Sequence, residues 1–192
     1  MSALPQPRFS SLEYLAIERE SEIRHQFYDG RMFAMSGASV ERNRIARNLL
    51  VDLHNQLKGT PCEPFVNDMR VKVDASGLYT YPDVVVVCDK PEFEDEHVDT
   101  LFNPRLIIEV LSDSTESYDR GKRFEHYRQL ESLTDYLLVS QTEPHIERFA
   151  RTDDGAWLLT EATGLEAAIP LPTIASRLAL GDVYAEVNLA SN

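Results

Sequence analysis

Tyr81-Pro82-Asp83-Val84-Val85-Val86-Val87 and Leu106-Ile107-Ile108-Glu109-Val110-Leu111 are two apolar runs of strand length, and each carries a carboxylate. Runs without polar alternation mark strands covered on both faces. Glu109 sits inside its run, where an ionised carboxylate is costly unless a cation pairs with it. A divalent ion shared by Asp83 and Glu109 would be such a partner. Oxygen donors on adjacent strands suit Mg²⁺ or Mn²⁺. The rival is a buried ion pair with an arginine of the chain itself.

Outward from these strands, Ser10-Ser11-Leu12-Glu13 has the form of a capping box and predicts a helix running to about Glu20. Asp29-Gly30 predicts a hairpin over His25 to Met35. Ile45, Leu49, Leu53 and Leu57 recur every fourth residue and predict a helix ending at Lys58-Gly59. Phe65 to Val73 reads as one strand and Asp135 to Ser140 as another. His145 to Arg151 should pair with Trp157 to Glu161. Tyr118 to Glu131 and Ile174 to Leu180 read as helices. The order predicts an α/β fold, a mixed central sheet flanked by helices, in a single domain spanning 1–192.

The chain has 192 residues and a formal net charge of −13, which argues against nonspecific coating of nucleic acid. It leaves room for a nuclease with a locally basic cleft. No stretch approaches the ~20 apolar residues of a membrane span. Met1 to Ser11 lacks the pattern of a secretory leader, so a cytoplasmic protein is expected, with Cys62 and Cys88 as reduced thiols. Glu92 to Asp99 reads as a solvated acidic connection. The five histidines are scattered without ligand spacing.

A cation for the site comes from Asp119-Arg120-Gly121-Lys122-Arg123-Phe124-Glu125-His126-Tyr127-Arg128. On a helical wheel Phe124, Tyr127 and Leu130 define the apolar arc, and Arg123 falls within it. Lys122 points roughly 140° from its centre. Arg123 is thus the inward candidate, with Lys122 on the flank. Ser112, Ser114 and Thr115 have no histidine and aspartate placed to complete a triad, and read as cap or cleft residues.

Several blocks together resemble the Uma-type putative restriction endonuclease family of the PD-(D/E)xK superfamily. They are Phe27-Tyr28-Asp29-Gly30, Met35-Ser36-Gly37-Ala38-Ser39, Tyr81-Pro82-Asp83-Val84, Ile108-Glu109-Val110-Leu111-Ser112 and Asp119-Arg120-Gly121 through Tyr136-Leu137-Leu138-Val139. The resemblance implies the restriction-endonuclease-like fold and a metal-dependent nuclease, with Asp83 and Glu109 as ligands of Mg or Mn. It also implies nucleic acid, with DNA first, as substrate, and a homodimer by analogy. The superfamily lysine two residues after the glutamate is replaced by Leu111. In this family a lysine on the following helix takes its place, and Arg123 stands there with Lys122 adjacent. Gln26 and Arg42 replace a glutamate and a histidine common in relatives. Arginine holds charge but does not readily give up a proton. A nuclease fold serving as a binding or regulatory module is therefore the second expectation.

Overall fold

The protein is described here as a computed structural model covering residues 8–35, 37–112 and 114–189. Ser36 of the quoted blocks, and Met1 to Pro7 of the leader reading, lie outside these residues. Helix α1 (Ser11–Glu20) starts from the predicted box: the Ser10 side chain accepts from the Glu13 amide, and Glu13 accepts from the Ser10 amide. Strands β1 (His25–Tyr28) and β2 (Arg31–Ala34) form the hairpin around Asp29-Gly30, both at positive φ. Helix α2 (Val40–Leu57) begins a turn before the apolar periodicity, because Ser39 caps it by accepting from the Arg42 amide.

The single strand expected over Phe65 to Val73 is two, β3 (Cys62–Val66) and β4 (Arg70–Val73), and they belong to different sheets. The chain turns at Asn67, a residue type that tolerates its φ of 49°, and the Asn67 amide donates to the Asp83 carbonyl. Then follow β5 (Leu78–Thr80), β6 (Val84–Cys88), β7 (Thr100–Leu101) and β8 (Leu106–Val110).

The predicted helix after Glu109 is an α3 turn (Glu116–Tyr118), a widened π turn over Asp119–Arg123, and α4 (Phe124–Tyr127). It stops before Glu131, and Arg151 donates to the carbonyls of Arg128, Leu130 and Glu131. Beyond it come β9 (Asp135–Val139), β10 (His145–Arg151) and β11 (Trp157–Thr163).

The tail corrects a second expectation. Instead of a helix over Ile174 to Leu180, strands β12 (Ala168–Leu171) and β13 (Ser176–Ala179) form a hairpin, followed by α5 (Leu180–Val183). Ile169, Leu171 and Leu178 bury their side chains against Leu49 and Leu53 of α2 in one cluster. Along β12 buried Ile169 and Leu171 alternate with exposed Ala168 and Pro170, a period of two that outweighs the weak helical signal.

The main sheet has the order β11-β10-β9-β8-β6-β3, mixed because β8 and β9 run parallel. A second sheet, β2-β1-β5-β4-β7, carries the hairpin. Alternation along the central strands feeds two cores. Val84, Val86, Leu106, Ile108 and Val110 face α2, while Val85, Val87, Ile107 and Leu111 face α4. The α/β class with a mixed sheet flanked by helices is as expected. Among the described residues, no helix is long and apolar enough to cross a membrane.

Cys62 and Cys88 are not free thiols. They stand opposite each other in the β3–β6 register and form a disulfide. Nor is the acidic segment merely solvated: Asp95 and Asp99 hold Arg19 at 2.7 and 2.8 Å, and Glu94 holds Lys72 at 2.8 Å. These charges tie the loop to α1 and β4.

Candidate active site

Strands β6 and β8 run antiparallel with Val84 opposite Ile108. One step further along each strand brings Asp83 beside Glu109. Both share the face of Val85 and Ile107, the α4 side, because side chains alternate. Asp83 accepts the Val110 main-chain amide at 2.8 Å. The predicted adjacency of the two carboxylates is therefore a consequence of strand register.

Glu109 is 0% exposed. Its Oε1 accepts from the Tyr127 hydroxyl at 2.8 Å, and its Oε2 lies 3.3 Å from Arg123 NH1. The same guanidinium nitrogen is 2.6 Å from Asp119 Oδ1. The π turn presents both Asp119 and Arg123 to the sheet, a use often found for such turns at functional sites. Burial, reinforced by Asp119 and Asp83 and opposed by Arg123, pushes the Glu109 carboxyl up to about 8. Burial also raises Asp119, against the pull of Arg123. For Arg123 burial disfavours the charge, but Glu109, Tyr127 and Asp119 more than offset it and hold the guanidinium protonated.

On the other side of the site, Arg42 from the first turn of α2 grips Asp83. Its Nε donates at 2.9 Å to Oδ1 and its NH2 at 2.8 Å to Oδ2. Arg123 NH2 donates to Gln26 Oε1 at 3.2 Å, and Gln26 Nε2 donates to the Tyr118 hydroxyl at 2.7 Å. The two positions that replace a glutamate and a histidine thus both touch the site. Two cavities open on it. One of about 460 Å³ reaches Asp83, and a second of about 330 Å³ reaches Arg123, with Arg42 and Met35 lining both.

Asp83, Glu109 and Arg123 are brought together, while Lys122 is left outside. Its side chain is 71% exposed and pairs with Glu125 on the same helix. Asp119 was not among the candidates from sequence, since an i, i+4 pair with Arg123 reads as ordinary helix stabilisation. Arg42 could be found only as an unusual residue at a family position. Tyr127, expected to be core, is core by its ring and a site residue by its hydroxyl.

The donor chemistry fits a hard cation. Glu109 Oε2 and both Asp119 carboxylate oxygens are buried without a hydrogen-bond donor, so positive charge is the partner they have. Arg123 supplies it in this conformation. A separate group, His145, Glu147 and Glu161, gathers three ligand atoms within 4.8 Å on β10 and β11. There Glu147 is already tied to Arg120.

Comparison with known proteins gives the family and the fold. A 155-residue match to the uncharacterized protein slr1290 of Synechocystis sp. is 39% identical, covering 81% of this chain and 80% of the relative. A second, sll1609 of the same organism, is 36% identical over 160 residues, or 83% of this chain and 90% of the relative. The crystal structure titled as "a putative nuclease belonging to DUF820" from Anabaena variabilis superposes with a TM-score of 0.74 at 17% identity, covering 90% of this chain and 96% of that one. At that identity the superposition establishes the fold. The profile of the Uma2 family, described as "Putative restriction endonuclease", matches residues 12–181, and the chain belongs to that family.

Proposed function

We propose that this protein is a divalent-metal-dependent nuclease that hydrolyses phosphodiester bonds, with DNA as the first substrate to test. The observation that carries the reading is the convergence of Asp83, Glu109 and Asp119 with Arg42 and Arg123 at one end of the central sheet, with buried carboxylate oxygens that lack donors. Asp83 and Glu109 would hold the ion, with Asp119 beside them. Mg²⁺ or Mn²⁺ bound there would supply Lewis acidity toward the scissile phosphate and toward a water.

The remaining work belongs to the chain. Glu109 carries its proton near neutrality and must release it to become a ligand, so loading the site is coupled to pH. Arg123 and Arg42 place fixed positive charge next to the carboxylates, where negative charge develops as the phosphodiester is attacked. Neither arginine is a base. Tyr127 and the Val110 amide hold the two carboxylates in place. Cutting both strands of a duplex would call on two copies of the site, and gel filtration tests the expected dimer.

The test is incubation of supercoiled DNA, and separately of RNA, with the purified protein and Mn²⁺. Glu109→Ala and Asp83→Ala should each abolish cleavage. A second reading is favoured by the arginines themselves, which already neutralise the carboxylates: a nuclease fold that binds without cutting. Calorimetry separates the two, since Mn²⁺ binding that disappears in Glu109→Ala supports the enzyme, and its absence in the unaltered protein supports the binding module.

A further inference from the structure

The β1–β2 hairpin has two faces with different fates. Phe27 and Met32 pack into a cluster with Tyr14 and Tyr79. On the opposite face Gln26 pairs across from Phe33, and Tyr28 follows two residues on. Phe33 is 47% and Tyr28 37% exposed, so this face carries aromatic surface that the fold does not bury. Both side chains line the cavity of about 330 Å³ beside Arg123, with Tyr118 also in its wall.

Three observations define what this cavity would hold. Its walls are aromatic, with the Tyr118 ring fixed on one side by the Arg123 guanidinium, 5.0 Å from the ring centroid. Its charged lining is cationic: Arg42 and Arg123 contribute, and none of its lining residues is acidic, although the whole chain is strongly so. Its wall also carries polar groups: Arg123, 6% exposed, borders it beside the Gln26 amide. A flat π system bearing ring nitrogens and carbonyl oxygens meets all three demands. Arg42 also lines the cavity that reaches Asp83, so one side chain borders both spaces.

We propose that this cavity receives an unstacked nucleobase of the substrate strand, stacked against Phe33 and Tyr28, while the adjoining phosphate lies toward Asp83 and Arg42. The inference rests on the nucleic-acid reading above and deepens it, since it makes a single-stranded or locally opened strand the preferred substrate. Aromatic platforms of this kind bind bases with little regard to sequence.

The test is binding without catalysis. Two short single-stranded oligonucleotides, one with a central 2-aminopurine and one with an abasic residue at that position, are titrated with the full chain in EDTA and followed by anisotropy. The base-bearing probe should bind more tightly and show quenched 2-aminopurine fluorescence. Phe33→Ala should weaken it roughly five- to a hundredfold, the usual worth of one stacking partner, while leaving the abasic probe unchanged. Phe33→Trp should preserve the discrimination, which guards against a hairpin that has merely lost its shape. Equal affinity for the two probes, binding of neither, or an equal loss for both in Phe33→Ala overturns the proposal. The two readings fail separately: a protein that cleaves with Mn²⁺ but does not distinguish the probes keeps the nuclease and loses the base pocket. One that distinguishes them and never cleaves does the reverse.

Discussion

Glu109→Gln preserves shape while removing a titration, and its consequence for stability can be worked from the site. The carboxyl is fully buried, and its pKa is raised from 4.5 to about 8, by burial first and by Asp119 and Asp83 next, against the opposing effect of Arg123. Between these two values the folded chain binds more protons than the unfolded one, so stability falls as pH rises. The contribution is complete below the unfolded value and is lost as pH climbs through the folded one. A rise of this size corresponds to roughly 5 kcal/mol at the limit, shared among the coupled groups of the site. The amide variant has no such loss. Urea unfolding in EDTA, near pH 5 and near pH 9, should show the variant gaining several kcal/mol on the unaltered protein at the alkaline end. If the difference between the two proteins stays constant across that range, Glu109 does not titrate as described and the coupling of metal to pH fails with it.

Further outcomes follow from the same geometry. Mn²⁺ binding near pH 7 should release about one proton per ion, read by calorimetry in buffers of unlike ionisation heat, and none in Glu109→Gln. Lys122→Ala should leave the melting temperature and the cleavage rate unchanged, because its pair with Glu125 is exposed. Arg123→Ala strips the charge partner from buried Asp119 and should cost about 3–5 kcal/mol in a denaturant melt near neutral pH. Cys62→Ser, or a thiol reductant, should lower stability by about 3–4 kcal/mol, the chain-entropy value for a loop of this length, with no further effect of reductant on the variant.

What could be read from sequence was whatever depends on local period. The two apolar runs with a carboxylate apiece, the capping box, the Asp29-Gly30 hairpin and the inward arc holding Arg123 all follow from alternation or helical spacing, and the structure has each of them. What depends on distant partners was not legible. Arg42 reaches Asp83 from 41 residues away, and no pattern around either residue announces the other. Cys62 and Cys88 share no motif; only the β3–β6 register makes them neighbours. The π turn leaves no periodic trace, so nothing in the helical spacing singles out Asp119. The tail hairpin had a signal, Ile169 and Leu171 alternating with Pro170 and Pro172. It was outweighed by the helix-compatible residues that follow.

The arginines of the site have one more consequence. With Glu109 carrying its proton, Asp83 and Asp119 face Arg42 and Arg123, two charges of each sign in one enclosed space. The interior is thus electrically closed by the chain's own atoms. Unlike small metal domains, whose folding waits for the ion, this fold has no debt for an ion to settle. On the proposed reading the polypeptide folds without its ion, and a divalent cation would enter beside the arginines in exchange for the Glu109 proton.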